Sequence, residues 1–320
     1  MTYVQRALTI TFQLQSGTFA GGAGSAGGNK SAGVVGSATS GNTLTLTNLR
    51  ASARITKAGG PSMSELNLAV WGMSQSQMDQ LSTLGLRVAL PSSGGNTTQI
   101  VPRNTVTVGA GDAGAKPATV FYGTILEAWG DYNAQPDVAF RVVAQTLGAY
   151  AVAPQAPASP PSPVDAATFM SGLAGPMGCT FENNGVDVKL SNPYFWGSAR
   201  DQALQCVRAA GLAWNGGDNG VLAIMPRGGA RATPSVPVVS PSTGMIGYPS
   251  WTAQGVDLRT VFNPSILFMG TIQLQTSLAR ASGTYTVAGL DYLLESQLPG
   301  GKWEAAVRAF TFGLPAPVSR

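Results

Sequence analysis

Histidine is missing from all 320 residues of the chain. Its absence removes the commonest general base and the commonest metal ligand. Serine–histidine–aspartate and cysteine–histidine catalysis are excluded, as is any zinc site built on imidazole. The two cysteines, Cys179 and Cys206, supply neither a disulfide framework nor a zinc-ligand spacing. Cys206 falls on the apolar stripe of a helical segment and reads as a core residue, and assembly in a reducing cytoplasm is expected. Charge is scarce: 11% of residues, against roughly 25% in an average soluble chain. A free monomer of this size normally carries more. Either much of the surface is covered by partners, or threonine, serine, glutamine and asparagine stand in for charge. Long apolar runs are lacking too. No stretch reaches the roughly 18 apolar residues of a membrane helix, and residues 1–15 are polar and strand-like rather than a secretory leader. No membrane anchor is expected.

The remaining groups offer little chemistry. Glu127 with Asp131, and Asp291 with Glu295, are the carboxylate pairs by spacing, but each reads as a set of ordinary strand-end or surface acids rather than a glycosidase dyad. Gly109-x-Gly111 and Gly21–Gly28 lack the lysine and hydroxyl residue that follow a phosphate-binding loop. Asp218-x-Gly220 is too short for an EF-hand calcium loop. The net charge is +4, from 19 basic and 15 acidic residues. No acid precedes Glu65, while Arg6, Lys30, Arg50, Arg54 and Lys57 do. These cations are spread out without interleaved aromatics, so no dedicated DNA site is expected. Catalytic residues, metal ligands and cofactors are all expected to be none.

What the chain has in quantity is glycine, 41 residues, and period-two alternation. Ala7–Leu14 alternates Leu8, Ile10, Phe12 and Leu14 against Thr9, Thr11 and Gln13, the pattern of a half-buried strand. Residues 15–42 form a Gly/Ala/Ser tract with Gly21, Gly22, Gly24, Gly27, Gly28 and Lys30 at its centre. It reads as an arm pressed against a neighbouring subunit, where glycine permits close approach, or as a loop packed on its own domain. Thr43–Ala58 is expected to be one long strand with a bulge near Asn48-Leu49, and Met63–Met73 the next, across a Gly59-Gly60-Pro61 turn. Ser74-x-x-Gln77 opens a short helix to Leu84. Gln99–Gly109, Ala118–Trp129 and Asp137–Ala144 follow as strands. Ala151–Pro163 is proline-rich and marks a linker.

Beyond it, Asp165–Ala174 and Ser198–Ala210 are expected helices, the second with Ala203, Leu204, Val207 and Ala210 as its apolar stripe. Cys179–Glu182 and Val186–Leu190 are expected strands around an Asn183-Asn184-Gly185 turn. Leu212–Trp214 and Val221–Met225 flank a loop at Asn215–Gly220. The order α-β-β-α-β-β is an internal duplication in outline. Trp71, Trp129 and Trp303 sit at strand ends, as core closure would place them. Phe195 and Trp196 form a loop cluster that is either a partner hot spot or the cap of a small core.

The last third, Thr243–Phe310, alternates in three runs: Gly255–Phe262 with Val256, Leu258 and Thr260 inward; Gly270–Thr276 with Ile272 and Leu274 inward; and Tyr285–Leu293, with Tyr285, Val287 and Gly289 opposed to Thr286, Ala288 and Leu290. Turns at Asn263-Pro264-Ser265, Ala281-Ser282-Gly283 and Pro299-Gly300-Gly301, and a closing run Trp303–Phe310, make this a small β-barrel or sandwich.

Phe262–Pro264, Gly270, Gly283–Leu290 and Gly301–Trp303, after the Gly-Tyr-Pro at Gly247–Pro249, resemble the C-terminal part of baseplate hub proteins of contractile-tailed phages. That family is related to phage late control proteins and to the hub part of type VI secretion spikes. The chain departs from many relatives at Asp291, where they carry histidine. The resemblance implies a fold that is mainly β with an α/β insertion. Two tail-tube-like β-barrel units, 1–150 (with the glycine-rich arm) and 234–320, would flank a small α+β lobe at 164–230, after the linker 151–163. It implies a structural, non-enzymatic hub: a homotrimer in the virion's tail baseplate, assembled in the host cytoplasm. The hub would join a hexameric tail tube to a trimeric central spike around the DNA channel. Tail tube protein, spike protein and other baseplate proteins would be its partners, with tape measure protein or DNA touched only non-specifically in the channel. A baseplate-borne cell-wall hydrolase and a carbohydrate-binding receptor module are the alternatives.

Within this frame Gly244, Met245, Ile246, Gly247, Tyr248 and Pro249 are expected at an inter-subunit or hub–partner contact. Three sizeable apolar side chains and no charge stand there in one short stretch. The alternative is that Met245 and Ile246 plug the end of their own barrel.

Overall fold

A computed structural model describes residues 5–19, 36–59, 62–82, 104–153, 155–252 and 255–311. The expected arm residues Gly21, Gly22, Gly24, Gly27, Gly28 and Lys30 lie outside them, as does most of the Gly59-Gly60-Pro61 turn. The fold is mostly β. It divides into two compact units, one of Met1–Arg54, Glu65–Ala149 and Leu294–Lys302, the other of Ile55–Ser64, Tyr150–Leu293 and Trp303–Arg320.

In the first unit, β1 (Arg6–Gln13), β2 (Gly36–Ser40), β3 (Thr43–Thr47), β4 (Ala51–Lys57), β5 (Glu65–Trp71), α1 (Gln75–Leu81), β6 (Thr105–Asp112), β7 (Ala118–Asp131) and β8 (Ala139–Gln145) follow in chain order. β4 continues past Arg54 into the second unit. The sheet order is β4-β5-β8-β7-β6-β1-β3-β2. Alternation places Leu8, Ile10 and Phe12 of β1 beside Leu44, Leu46, Val106, Val108, Phe140 and Val142 in the buried layer. The Phe12 and Phe140 rings meet edge to face at 6.2 Å. Each such side chain contributes about 1.5–3 kcal/mol by leaving water. On α1, Met78 and Leu81 are buried, and Ser74 and Gln77 close the expected capping box.

The expected single strand over 43–58 is two strands. Asn48 adopts φ 55°, a left-handed conformation that asparagine tolerates better than most residues. The chain leaves β3, paired with β1 and β2, and re-enters the sheet as β4 beside β5.

The second unit adds β9 (Val164–Asp165), α2 (Ala166–Ala174), β10 (Thr180–Asn183), β11 (Lys189–Leu190), α3 (Ala199–Ala209), β12 (Leu212–Asp218) and β13 (Val221–Pro226). After these come β14 (Val238–Val239), β15 (Met245–Thr252), β16 (Gly255–Val261), β17 (Thr271–Leu274), β18 (Gly283–Ser296) and β19 (Trp303–Thr311). The larger sheet runs β15-β16-β19-β18-β17-β14, with β14 and β17 parallel. A three-stranded sheet runs β10-β13-β12, and β9 pairs with β11.

Three expectations for this unit are corrected. Asn183-Asn184-Gly185 does not turn a hairpin: the Asn183 side chain accepts from Val186 N–H and donates to Val186 O. That closes a local loop and frees β10 to pair parallel with β13. The outlined duplication therefore does not extend to strand pairing. Asn215–Gly220 is not a broad loop, because β12 runs on to Asp218. Only Asn219 and Gly220 turn the chain, at φ 54° and 76°, the positive-φ pair of a tight hairpin. In β18 the inward face is Tyr285 and Val287, then Leu290, Tyr292 and Leu294. The phase slips one residue at Ala288-Gly289, which moves Gly289 off the buried face and Leu290 onto it. Of the strand-end tryptophans, Trp71, Trp129 and Trp303 are half-buried, and Trp214 is the one fully enclosed.

Candidate functional site

The uncharged stretch after the linker-like 227–237 becomes an edge strand. Gly244 (φ 106°) ends a short turn capped by the Ser240 hydroxyl, which accepts from Thr243 N–H. β15 then pairs antiparallel with β16: Ile246 lies opposite Arg259 and Ser250 opposite Asp257. Gly247, Tyr248 and Pro249 thus face Leu258 alone, and Gly247 at φ 71° lets the backbone bulge. The bulge sorts the side chains. Met245 and Pro249 are buried, while Ile246, Tyr248 and Trp251 are 36%, 74% and 48% exposed. Trp251, not singled out from the sequence, lies opposite the buried Val256, whereas Ile246 lies opposite the exposed Arg259, so the two side chains leave opposite faces of the strand.

The aromatic loop before α3 divides the same way. Phe195 is buried, its ring 4.4 Å from that of Phe169, and its backbone exchanges hydrogen bonds with Ala158 of the proline-rich segment. Tyr194 and Trp196 on either side are 62% and 61% exposed. α3 itself buries Ala199, Gln202, Ala203, Cys206 and Val207, so Gln202 takes a place that an apolar-stripe reading gave to Leu204 and Ala210. Its amide donates to Ala156 O at 2.9 Å.

A third arrangement had no signal in the sequence. Lys57 of β4 and Asp218 of β12 form a buried ion pair, and Lys57 also donates to Asn219 at 2.9 Å. Burial pushes the Lys57 ammonium below its ordinary pKa, while the Asp218 charge and hydrogen bond act the other way. Nearby, Arg231 holds Glu182 bidentately at 2.8–3.0 Å. Burial alone would raise the Glu182 pKa, and Arg231 outweighs it and holds the carboxyl low.

None of these groups assembles a reaction centre. Asp131 is tied to Arg141 at 2.6 Å, and Glu295 accepts from Ser52 and from Lys302 N–H. Both thiols are buried, and burial pushes Cys179 to about 11 and Cys206 to about 12. Among the described residues no cluster of three or more Cys, Asp or Glu is placed to hold a metal ion.

What the chain displays among its described residues are exposed apolar side chains on β15 and before α3. Its sequence matches the family described as Baseplate hub gp41 over residues 33–299. The chain belongs to that baseplate hub family. No curated protein matches it in sequence. Among solved structures, the hub chain is similar to the tail protein from Neisseria meningitidis MC58, with a TM-score of 0.54 at 9% identity over 83% of this chain and 96% of that one. The prophage MuSo2 43 kDa tail protein from Shewanella oneidensis gives 0.53 at 9%, over 83% and 93%. The E. coli c3393 protein, described as a component of the type VI secretion system, gives 0.53 at 8%, over 85% and 77%. At such identities the likeness is one of fold. Family membership makes this hub chain a structural component of a phage tail.

Proposed function

We propose that the chain forms a ring at the baseplate of a contractile tail, joining the hexameric tail tube to the trimeric central spike around the channel for DNA ejection. The family match over 33–299 carries this reading. In it the chain is a homotrimer assembled in the host cytoplasm. Tube-like β-units within 1–150 and 234–320 give three subunits six similar faces toward the tube, and the lobe at 164–230 stands between them in sequence. The bulged edge at Gly244–Pro249 serves as a contact to a neighbouring subunit or baseplate partner. The exposed apolar side chains there support this, since water-facing patches of this kind mark interaction sites. A symmetric reconstruction of the native tail tests the reading. Three copies between tube and spike are expected, and one copy or six would overturn it.

A further inference from the structure

We propose that Tyr194, Trp196 and Arg208 form a docking surface for an acidic, apolar segment of another protein chain. This names a partner chemistry for the lobe and rests on the hub reading only for where that partner is found.

The first support is preorganisation. The main chain of the loop is held at three consecutive residues. Phe195 exchanges hydrogen bonds of 2.8 and 2.9 Å with Ala158. Trp196 N–H donates to Gln205 Oε1 at 3.3 Å, and Gln205 Nε2 donates back to Trp196 O at 2.8 Å. Gln202 Nε2 lies 3.4 Å from Gly197 O. Gly197 sits at φ 90°, and a Cβ there would stand 3.0 Å from an Asp201 oxygen, so the bend requires glycine. Two aromatic rings are thus presented to water from a fixed backbone, which removes much of the ordering cost of binding. Tryptophan and tyrosine so placed are the residues that dominate binding energy at protein interfaces.

The second support is charge. Arg208 lies one turn beyond Gln205 on α3, so it shares the face to which Trp196 is clamped. It is exposed and enters none of the ion pairs of the described residues. The one acid on α3, Asp201, is committed to the cap, accepting from Ser198 N–H and Oγ at 3.1 and 2.7 Å. An exposed guanidinium outside those ion pairs, on the helix face that clamps Trp196, calls for a carboxylate next to apolar side chains, which arginine can take bidentately. Nucleic acid fits less well. Across 164–230, Lys189, Arg200, Arg208 and Arg227 are outnumbered by Asp165, Glu182, Asp187, Asp201 and Asp218, whereas a polyanion is held by a series of cations.

The test is selection of short random peptides against the full chain, followed by titration of synthetic versions. The expected consensus holds Asp or Glu beside apolar residues. Trp196→Ala should weaken binding by roughly 30-fold with the thermal unfolding curve unchanged. Arg208→Glu should weaken it too, and exchanging the peptide's acid for lysine should restore binding to that variant. Peptides without acid, affinity indifferent to Trp196→Ala, tight binding of oligothymidylate instead, or self-association of the chain through this patch would each overturn the proposal. Peptide binding needs no tail, so its failure leaves the hub reading standing. Absence of the chain from purified tails would sink the hub reading alone.

Discussion

At the scale of single residues, Lys57 and Asp218 show how a buried charge pair differs from a stabilising one. Two ions taken from water lose several kcal/mol of hydration each, and their mutual attraction offsets this only when geometry is good. Here Asn219 and Asp218 both accept from the ammonium, and the Tyr292 ring lies 5.8 Å away. Lys57→Met or Asp218→Leu alone strands one charge and should cost about 3–5 kcal/mol, whereas the double substitution should be close to neutral. Urea unfolding of the three variants checks this; additive losses in the double variant would contradict it. Glu182 yields a pH dependence. Its pKa in the folded chain lies below the ordinary 4.5, so the unfolded chain binds more protons just below that pH. The pair's contribution is fully present above about pH 4.5 and is lost as pH falls through the lowered value. The melting temperature should drop with acidification over that window, and Glu182→Gln should flatten the drop. An unchanged acid limb in Glu182→Gln would show that other carboxylates govern it.

At the scale of elements, regular alternation and capping were legible and local breaks in register were not. Leu8, Ile10 and Phe12 announce β1, and Ser74 and Ser198 announce α1 and α3, because burial periodicity and cap chemistry are local properties. The slip at Ala288-Gly289, the bulge at Gly247–Pro249 and the parallel pairing of β10 with β13 depend on the strands alongside. No window around those residues contains that information. The buried pair Lys57–Asp218 is hidden for the same reason, its members standing far apart in sequence. The bulge supplies a separable pair of outcomes. Met245→Asp places a charge in the buried layer and should cost several kcal/mol. Ile246→Lys with Tyr248→Ser alters only exposed positions, and stability should stay within about 0.5 kcal/mol while incorporation into tails falls. Normal incorporation of that exposed pair would remove β15 from the contact. Ser198→Ala should cost about 1 kcal/mol through the lost cap, read by chemical denaturation.

At the scale of the molecule, the sparse charge and the scattered exposed side chains belong together. Among the described residues, the large apolar ones that face water are Tyr132, Val152, Tyr194, Trp196, Val236, Ile246, Tyr248, Trp251 and Leu278. Two of them, Ile246 and Tyr248, stand on the bulged edge β15. At 36% and 74% exposure, and with aromatic side chains burying 150–250 Å² when fully covered, the pair offers on the order of 200 Å². A stable interface takes about 800 Å² from each partner. In the proposed ring, one such contact would not suffice, and closure would draw on surfaces that tube and spike complete. The purified chain should accordingly sediment as a monomer at micromolar concentration, while tails should contain it in threes. Analytical ultracentrifugation across a concentration series decides the matter. A trimer that survives dilution without tube or spike would mean that the subunit interface is far larger than this patch, and that assembly precedes docking rather than following it.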